Sequence, residues 1–177
     1  NPEQAPIRYP FAYVNAWFAQ KVEMVDNADA EMAAMNQFNP LMVAVVDKRF
    51  AADLEGFTPQ PDSTATIALT DYKPNVVTYQ SNTKTEQLAI FSEIYYQPGW
   101  KAFVDGKETP HFRADWTLRA LRVPAGEHQI VFRFEPDNYI MATQVASVSS
   151  LLILLLLAGA IAWSVWNTLK KEKELQK

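Results

Sequence analysis

At 177 residues, with 16 Lys and Arg against 20 Asp and Glu, the chain has room for one compact domain of ordinary size plus a helix, and no second large domain. Its net charge of −4 makes it a poor candidate for nucleic acid, and zero cysteines exclude disulfides, thiolate nucleophiles and Cys-ligated zinc. Five glycines, at positions 56, 99, 106, 126 and 159, form no phosphate-cradling loop or dinucleotide fingerprint.

The chain opens on Asn1-Pro2-Glu3-Gln4, without a start methionine, a basic n-region or an apolar h-region. It therefore reads as the carboxy-terminal piece of a longer polypeptide, with a processed mature protein as the alternative. Residues 7–14 are aromatic and punctuated by proline, and residues 16–25 end in the alternation of a half-buried strand. Asp26 or Asn27 can cap a helix over 28–38, which stops at Asn39-Pro40, and Met42-Val43-Ala44-Val45-Val46 follows as a buried strand. Residues 1–57 thus form a strand-helix-strand lead-in.

From Thr64 the pattern turns to β. Strands are expected at 64–70, 75–79, 87–96, 100–104, 117–123 and 129–134, each separated by turn residues. Asp105-Gly106 suits a type I′ hairpin, and Pro124-Ala125-Gly126-Glu127 another tight connection. Ile130, Phe132 and Phe134 make one inward face. Residues 58–139 are accordingly expected to fold as an antiparallel, jelly-roll-like β-sandwich.

Residues 138–169 contain no Asp, Glu, Lys or Arg. Within them 145–166 would extend roughly 33 Å as a helix, enough for the ~30 Å hydrocarbon layer. Tyr139 lies at one end, and Trp163 and Trp166 at the other, where amphipathic rings settle at bilayer interfaces. Lys170, Lys171, Lys173 and Lys177 follow at once. The positive-inside rule then makes 140–169 a transmembrane helix, 170–177 a cytoplasmic tail, and 1–139 an outward-facing region with 12 Lys and Arg against 18 Asp and Glu, a net of −6.

Chemistry is harder to find. His111 and His128 have no partner at metal-ligand spacing, and no nucleophile elbow is present, so no catalytic, metal or cofactor site is expected. Glu93, Asp105, Asp115 and Glu127 could supply a carboxylate pair for glycoside cleavage. Each is also explained by a turn, a strand end or a neighbouring arginine, and that reading carries more weight. Tyr95, Tyr96, Trp100, Phe112 and Trp116 can supply flat faces, with Arg113, Arg119 and His128 as donors, in the manner of a sugar-binding surface. Core packing competes with this reading, more strongly for Trp100 and Phe103 than for Tyr96 and Trp116. Tyr96, Trp100, Arg113, Trp116 and Arg119 stand as candidate contacts for glycan or lipid. Arg113, Arg119 and Arg122 also fit an exposed strand face near lipid phosphate.

Three stretches carry a family resemblance: Ser92-Glu93-Ile94-Tyr95-Tyr96-Gln97-Pro98-Gly99-Trp100-Lys101-Ala102-Phe103-Val104-Asp105-Gly106-Lys107, Arg113-Ala114-Asp115-Trp116-Thr117-Leu118-Arg119-Ala120-Leu121, and Val123-Pro124-Ala125-Gly126-Glu127-His128 followed by Phe132-Arg133-Phe134-Glu135-Pro136. Placed directly before a last membrane helix, they resemble the carboxy-terminal end of the YfhO family of bacterial membrane proteins. Asn15-Ala16-Trp17-Phe18 fits as well, while Gln97 and Val14 depart from the family's local pattern. The resemblance implies a polytopic inner-membrane protein, similar to C-type glycosyltransferases, that moves a sugar from a polyprenyl-phosphate carrier to an envelope acceptor on the outer face, lipoteichoic acid in Gram-positive members. It implies upstream transmembrane helices, membrane lipid and an envelope glycan or glycolipid as partners, and catalytic groups in loops this chain lacks. The alternatives are a membrane-anchored glycan-binding or structural module and, less favoured, an autonomous hydrolase.

Overall fold

The computed structural model describes residues 13–175, so most of the aromatic stretch at 7–14 and the last two residues of the tail lie outside the described residues. The chain divides into two compact units between Glu135 and Pro136. In order, the first unit holds β1 (Ala16–Ala19), β2 (Lys21–Val25), α1 (Ala28–Ala34), β3 (Val43–Asp47), β4 (Thr66–Lys73) and β5 (Val76–Thr83). It continues with β6 (Gln87–Ile94), β7 (Trp100–Val104), β8 (Lys107–Thr109), β9 (Phe112–Ala114), β10 (Leu118–Val123) and β11 (Gly126–Phe134). Short 3-10 turns occupy Met35–Gln37 and Lys48–Leu54.

Two antiparallel sheets, ordered β1-β6-β10-β9 and β4-β5-β11-β7-β8, face one another. Between them lies a core of Val77, Tyr79, Phe91, Leu121, Ile130 and Phe132 with smaller residues around it. The rings of Tyr79, Phe91 and Phe132 meet edge to face, with Phe91 4.8 Å from each of the other two. Each such pair is worth ~0.5–1.5 kcal/mol beyond its buried area. The mainly β, antiparallel sandwich expected from the strand spacing is therefore what forms.

The lead-in is more than an appendage. β2 and β3 pair in parallel around α1, and Ala44 and Val46 pack with Leu88, Ile90, Phe112 and Ala120 on the outer face of the four-stranded sheet. Phe50, Leu54 and Phe57 complete this second core. The four-stranded sheet is thus buried on both faces, which is why Gln87 to Phe91 of β6 is buried without alternation. Asn27 caps α1 by accepting from the Ala30 amide at 3.0 Å.

Residues 16–25 are not one strand. The amides of Gln20 and Lys21 both donate to the Met42 carbonyl, at 3.0 and 2.9 Å, and the chain turns there. Trp17 and Ala19 before the turn are buried in β1 against β6, whereas Lys21 and Glu23 after it are exposed in β2. Phe103 corrects a second expectation: between inward Ala102 and Val104 it faces outward, where the Arg133 guanidinium lies 4.7 Å from its ring. Asp105 and Gly106 have φ of 50° and 80°, the pair of left-handed residues a type I′ hairpin requires. Pro124 and Ala125 instead carry the chain from one sheet to the other.

The second unit is a helix, α2 (Asp137–Leu175), in which Met141–Asn167, 27 residues, is long and apolar enough to cross a membrane. The hydroxyls of Thr143, Ser147, Ser149 and Ser150 each donate to the carbonyl four residues earlier at 2.8 Å, satisfying polar groups that hydrocarbon would leave unpaired.

Candidate functional site

The β7–β8 hairpin and the 3-10 turn at Lys48–Leu54 stand on either side of an open trough. One end, a cleft of about 670 Å³, has Phe50, Tyr95 and Trp100 in its wall, with Gln97 and His111 beside them. The other end, about 660 Å³, is bounded by Phe112, Arg122, Pro124 and His128. The two ends share Asp53, Glu108, Thr109 and Pro110, so carboxylates sit midway between an aromatic end and a polar one.

The aromatic end is built on stacked contacts. Tyr95 meets Phe50 edge-on at 5.9 Å and His111 at 5.4 Å. The Arg119 guanidinium lies 4.1 Å from the Trp100 ring centre and 5.1 Å from that of Phe132, with Nε donating to the Ile94 carbonyl at 2.9 Å. Arg119 is only 2% exposed. Burial lowers its pKa and also pushes His111 down to about 4, so that imidazole is neutral in ordinary buffers. The His111 Nε2 and the Arg119 Nη1 have no partner among the described residues. Burial also raises the Asp53 carboxyl.

At the polar end, which Lys107 also lines, Arg122 and His128 are held by acids. Arg122 donates to both oxygens of Glu86, at 2.9 and 3.2 Å, and to the Glu55 carbonyl at 3.0 Å. His128 places Nδ1 2.6 Å from the Asp105 carboxylate and Nε2 3.1 Å from the Ala125 carbonyl. Both partners accept, so the doubly protonated ring fits both, and the carboxylate raises its pKa.

A separate cluster joins the lead-in to the sandwich. Glu31, fully buried on α1, accepts from Arg113 Nη2 at 2.6 Å and from the Trp116 amide at 3.0 Å. Asp115 accepts from the Val45 amide at 2.8 Å through Oδ1 and donates its own amide to the Val45 carbonyl at 2.9 Å. Its Oδ2 has no partner among the described residues, and burial pushes the carboxyl up to about 7. Asp115 and Trp116 have φ of 48° and 69°, two successive non-glycine residues in the left-handed region.

The five candidate contacts are therefore distributed. Trp100 lines the trough, and Arg119 supports it from beneath. Tyr96 is 54% exposed and absent from the trough wall. Arg113 and Trp116 belong to the cluster with Glu31, their side chains 5.7 Å apart by guanidinium-to-ring distance. The expected exposed arginine face does not form: Arg119 points into the sandwich with Leu121 and Val123, while Arg113 and Arg122 are held by acids. Phe50, Asp53 and Glu108 escaped the sequence reading, since a 3-10 turn and an exposed hairpin give no periodic signal. Among the described residues no group of acids and histidines is arranged to hold a metal ion.

No curated protein and no solved structure matches the chain. The family described as bacterial membrane protein YfhO matches residues 54–146, just over half of the chain, from the end of the 3-10 turn through the strands β4 to β11 into the first turns of α2. With the match covering β4 to β11 directly before a helix apolar enough to cross a membrane, the chain belongs to the YfhO family of bacterial membrane proteins.

Proposed function

We propose that the sandwich is the extracytoplasmic, acceptor-side domain of a sugar transferase of the bacterial inner membrane, and that α2 is a membrane span with its lysine-rich end in the cytoplasm. The transferase takes sugar from a polyprenyl-phosphate donor and passes it to a cell-envelope glycan. The observation that carries this reading is the family match, which runs from the end of the 3-10 turn through β11 into the first turns of α2. The distribution of charge supports the orientation, with the lysines after the helix and the acidic excess before it. The sandwich is not assigned the chemical step: it presents the acceptor, while further membrane helices packed beside α2 supply the catalytic groups. Trp100 on its Arg119 support is the principal glycan contact, exposed Tyr96 is a further one, and Arg113 and Trp116 tie α1 to the four-stranded sheet that carries Arg119.

The test is deletion and restoration of the full-length gene in its own cell. Loss of one sugar substituent from an envelope glycan, with build-up of its polyprenyl-linked precursor, is expected, and both reverse on restoration. Unchanged envelope glycans and an unchanged precursor pool would overturn the transferase reading. A membrane-anchored glycan-binding module is the second reading, favoured by the trough itself, and it would leave the precursor pool unchanged.

A further inference from the structure

We infer that the trough between the Lys48–Leu54 turn and the β7–β8 hairpin is a binding site for an uncharged stretch of oligosaccharide. The inference rests on the glycan-handling part of the reading above and not on sugar transfer. Each cleft alone falls in the ~300–1,000 Å³ range of small-molecule sites, and the two run together through Asp53 and Glu108, so the shape suits an elongated chain of rings. Tyr95 and Trp100 at one end offer amphipathic rings against which a sugar's C–H face packs. Carboxylates, the Gln97 amide and the Thr109 hydroxyl alongside them are acceptors and donors for its hydroxyls.

Charge decides the class of ligand. The lining sets Lys101, Lys107, Arg122 and His128 against Asp53, Glu86, Asp105 and Glu108, with Arg122 clasped by Glu86 and His128 by Asp105, so it offers a phosphate-bearing ligand no cationic excess. The midpoint contributes Asp53 and Glu108, which repel anions, and the neutral His111 brings no charge. An extended peptide fits poorly as well. The strand bordering the trough, β8, is three residues long and followed by Pro110, which cannot donate, so it offers few ladder hydrogen bonds. A neutral polyol satisfies the trough without demanding a free charge.

The test uses the full chain in lipid nanodiscs, titrated with short neutral gluco-, galacto- and N-acetylglucosamine oligosaccharides and followed by tryptophan fluorescence and calorimetry. At least one series is expected to bind, with Trp100→Ala weakening it about tenfold or more. Because Trp100 also packs on the core, Glu108→Gln and Asp53→Asn on the rim serve as a second arm, each expected to weaken the same sugar several-fold. Tyr72→Ala, on β4 outside the trough, is expected to bind as the parent does. No binding of any series, equal binding by the rim variants, or tighter binding of polyglycerol phosphate than of every neutral series would overturn the assignment. Binding that is lost in the variants while envelope glycans are indifferent to the gene would uphold the site and sink the transferase reading alone.

Discussion

Asp115 combines a left-handed backbone, a carboxyl 2% exposed and one oxygen without a partner among the described residues. Burial is the main cause of its high pKa, with the Glu31 charge adding to it and the Val45 amide opposing. In the unfolded chain the same carboxyl titrates near 3.8. Between that value and about 7 the folded protein keeps a proton that the unfolded chain has lost, so this residue's contribution to stability falls as pH rises through that window and levels off above it. Asp115→Asn keeps an oxygen for the Val45 amide and removes the titration. Its stability relative to the parent should therefore rise from pH 4 to pH 7, by on the order of 3 kcal/mol, and change little beyond. Unfolding by denaturant across this range measures it, and a difference that does not vary with pH would contradict the account. The sequence shows an acid beside Arg113 but not this conformation, because αL positions are ordinarily signalled by glycine or asparagine, as Gly106 does in the hairpin.

At the scale of elements, the long alternating or apolar runs were legible and the short pieces were not. β6, β7, β10 and β11 follow from their apolar or alternating runs between turn residues, whereas β8 and β9, three residues each, are fixed only by pairing with β7 and β10. β1 and β2 read as a single strand because nothing local announces a turn at Gln20; the turn comes from the distant Met42 carbonyl. The β6–β7 connection shows the same dependence on partners. Gly99 donates no side chain, and a Cβ there would stand 2.1 Å from Phe134 Cε2, while its carbonyl accepts from the Glu135 amide at 2.7 Å. Gly99→Ala should therefore push the Phe134 ring out of its 5.4 Å contact with Trp100 and cost ~1–3 kcal/mol. Pairing it with Phe134→Leu should recover most of that loss in thermal unfolding. A single variant as stable as the parent would show that the turn is looser than described.

Across the whole molecule, composition and hydropathy were enough to see a β domain followed by a membrane-length helix, because both are recorded in periodicity and charge. That the lead-in would cover the outer face of a sheet was not readable, since Ala44 and Val46 look alike whether they face a sandwich or a smaller core of their own. The candidate site divides the same way. Trp100 and Tyr95 were visible as aromatic residues in a strand pair, but Phe50 and Asp53 reach the trough from a turn some fifty residues earlier in the chain. Everything proposed for the trough depends on its facing the envelope side. The chain has no cysteine, so single cysteines report sidedness cleanly. Glu127→Cys in the sandwich and Lys173→Cys beyond the helix, each in the full-length protein in intact cells, would be exposed to a membrane-impermeant thiol reagent. The account predicts labelling at 127 without permeabilisation and at 173 only after it; the reverse pattern would place the sandwich in the cytoplasm and contradict the proposed function at its root.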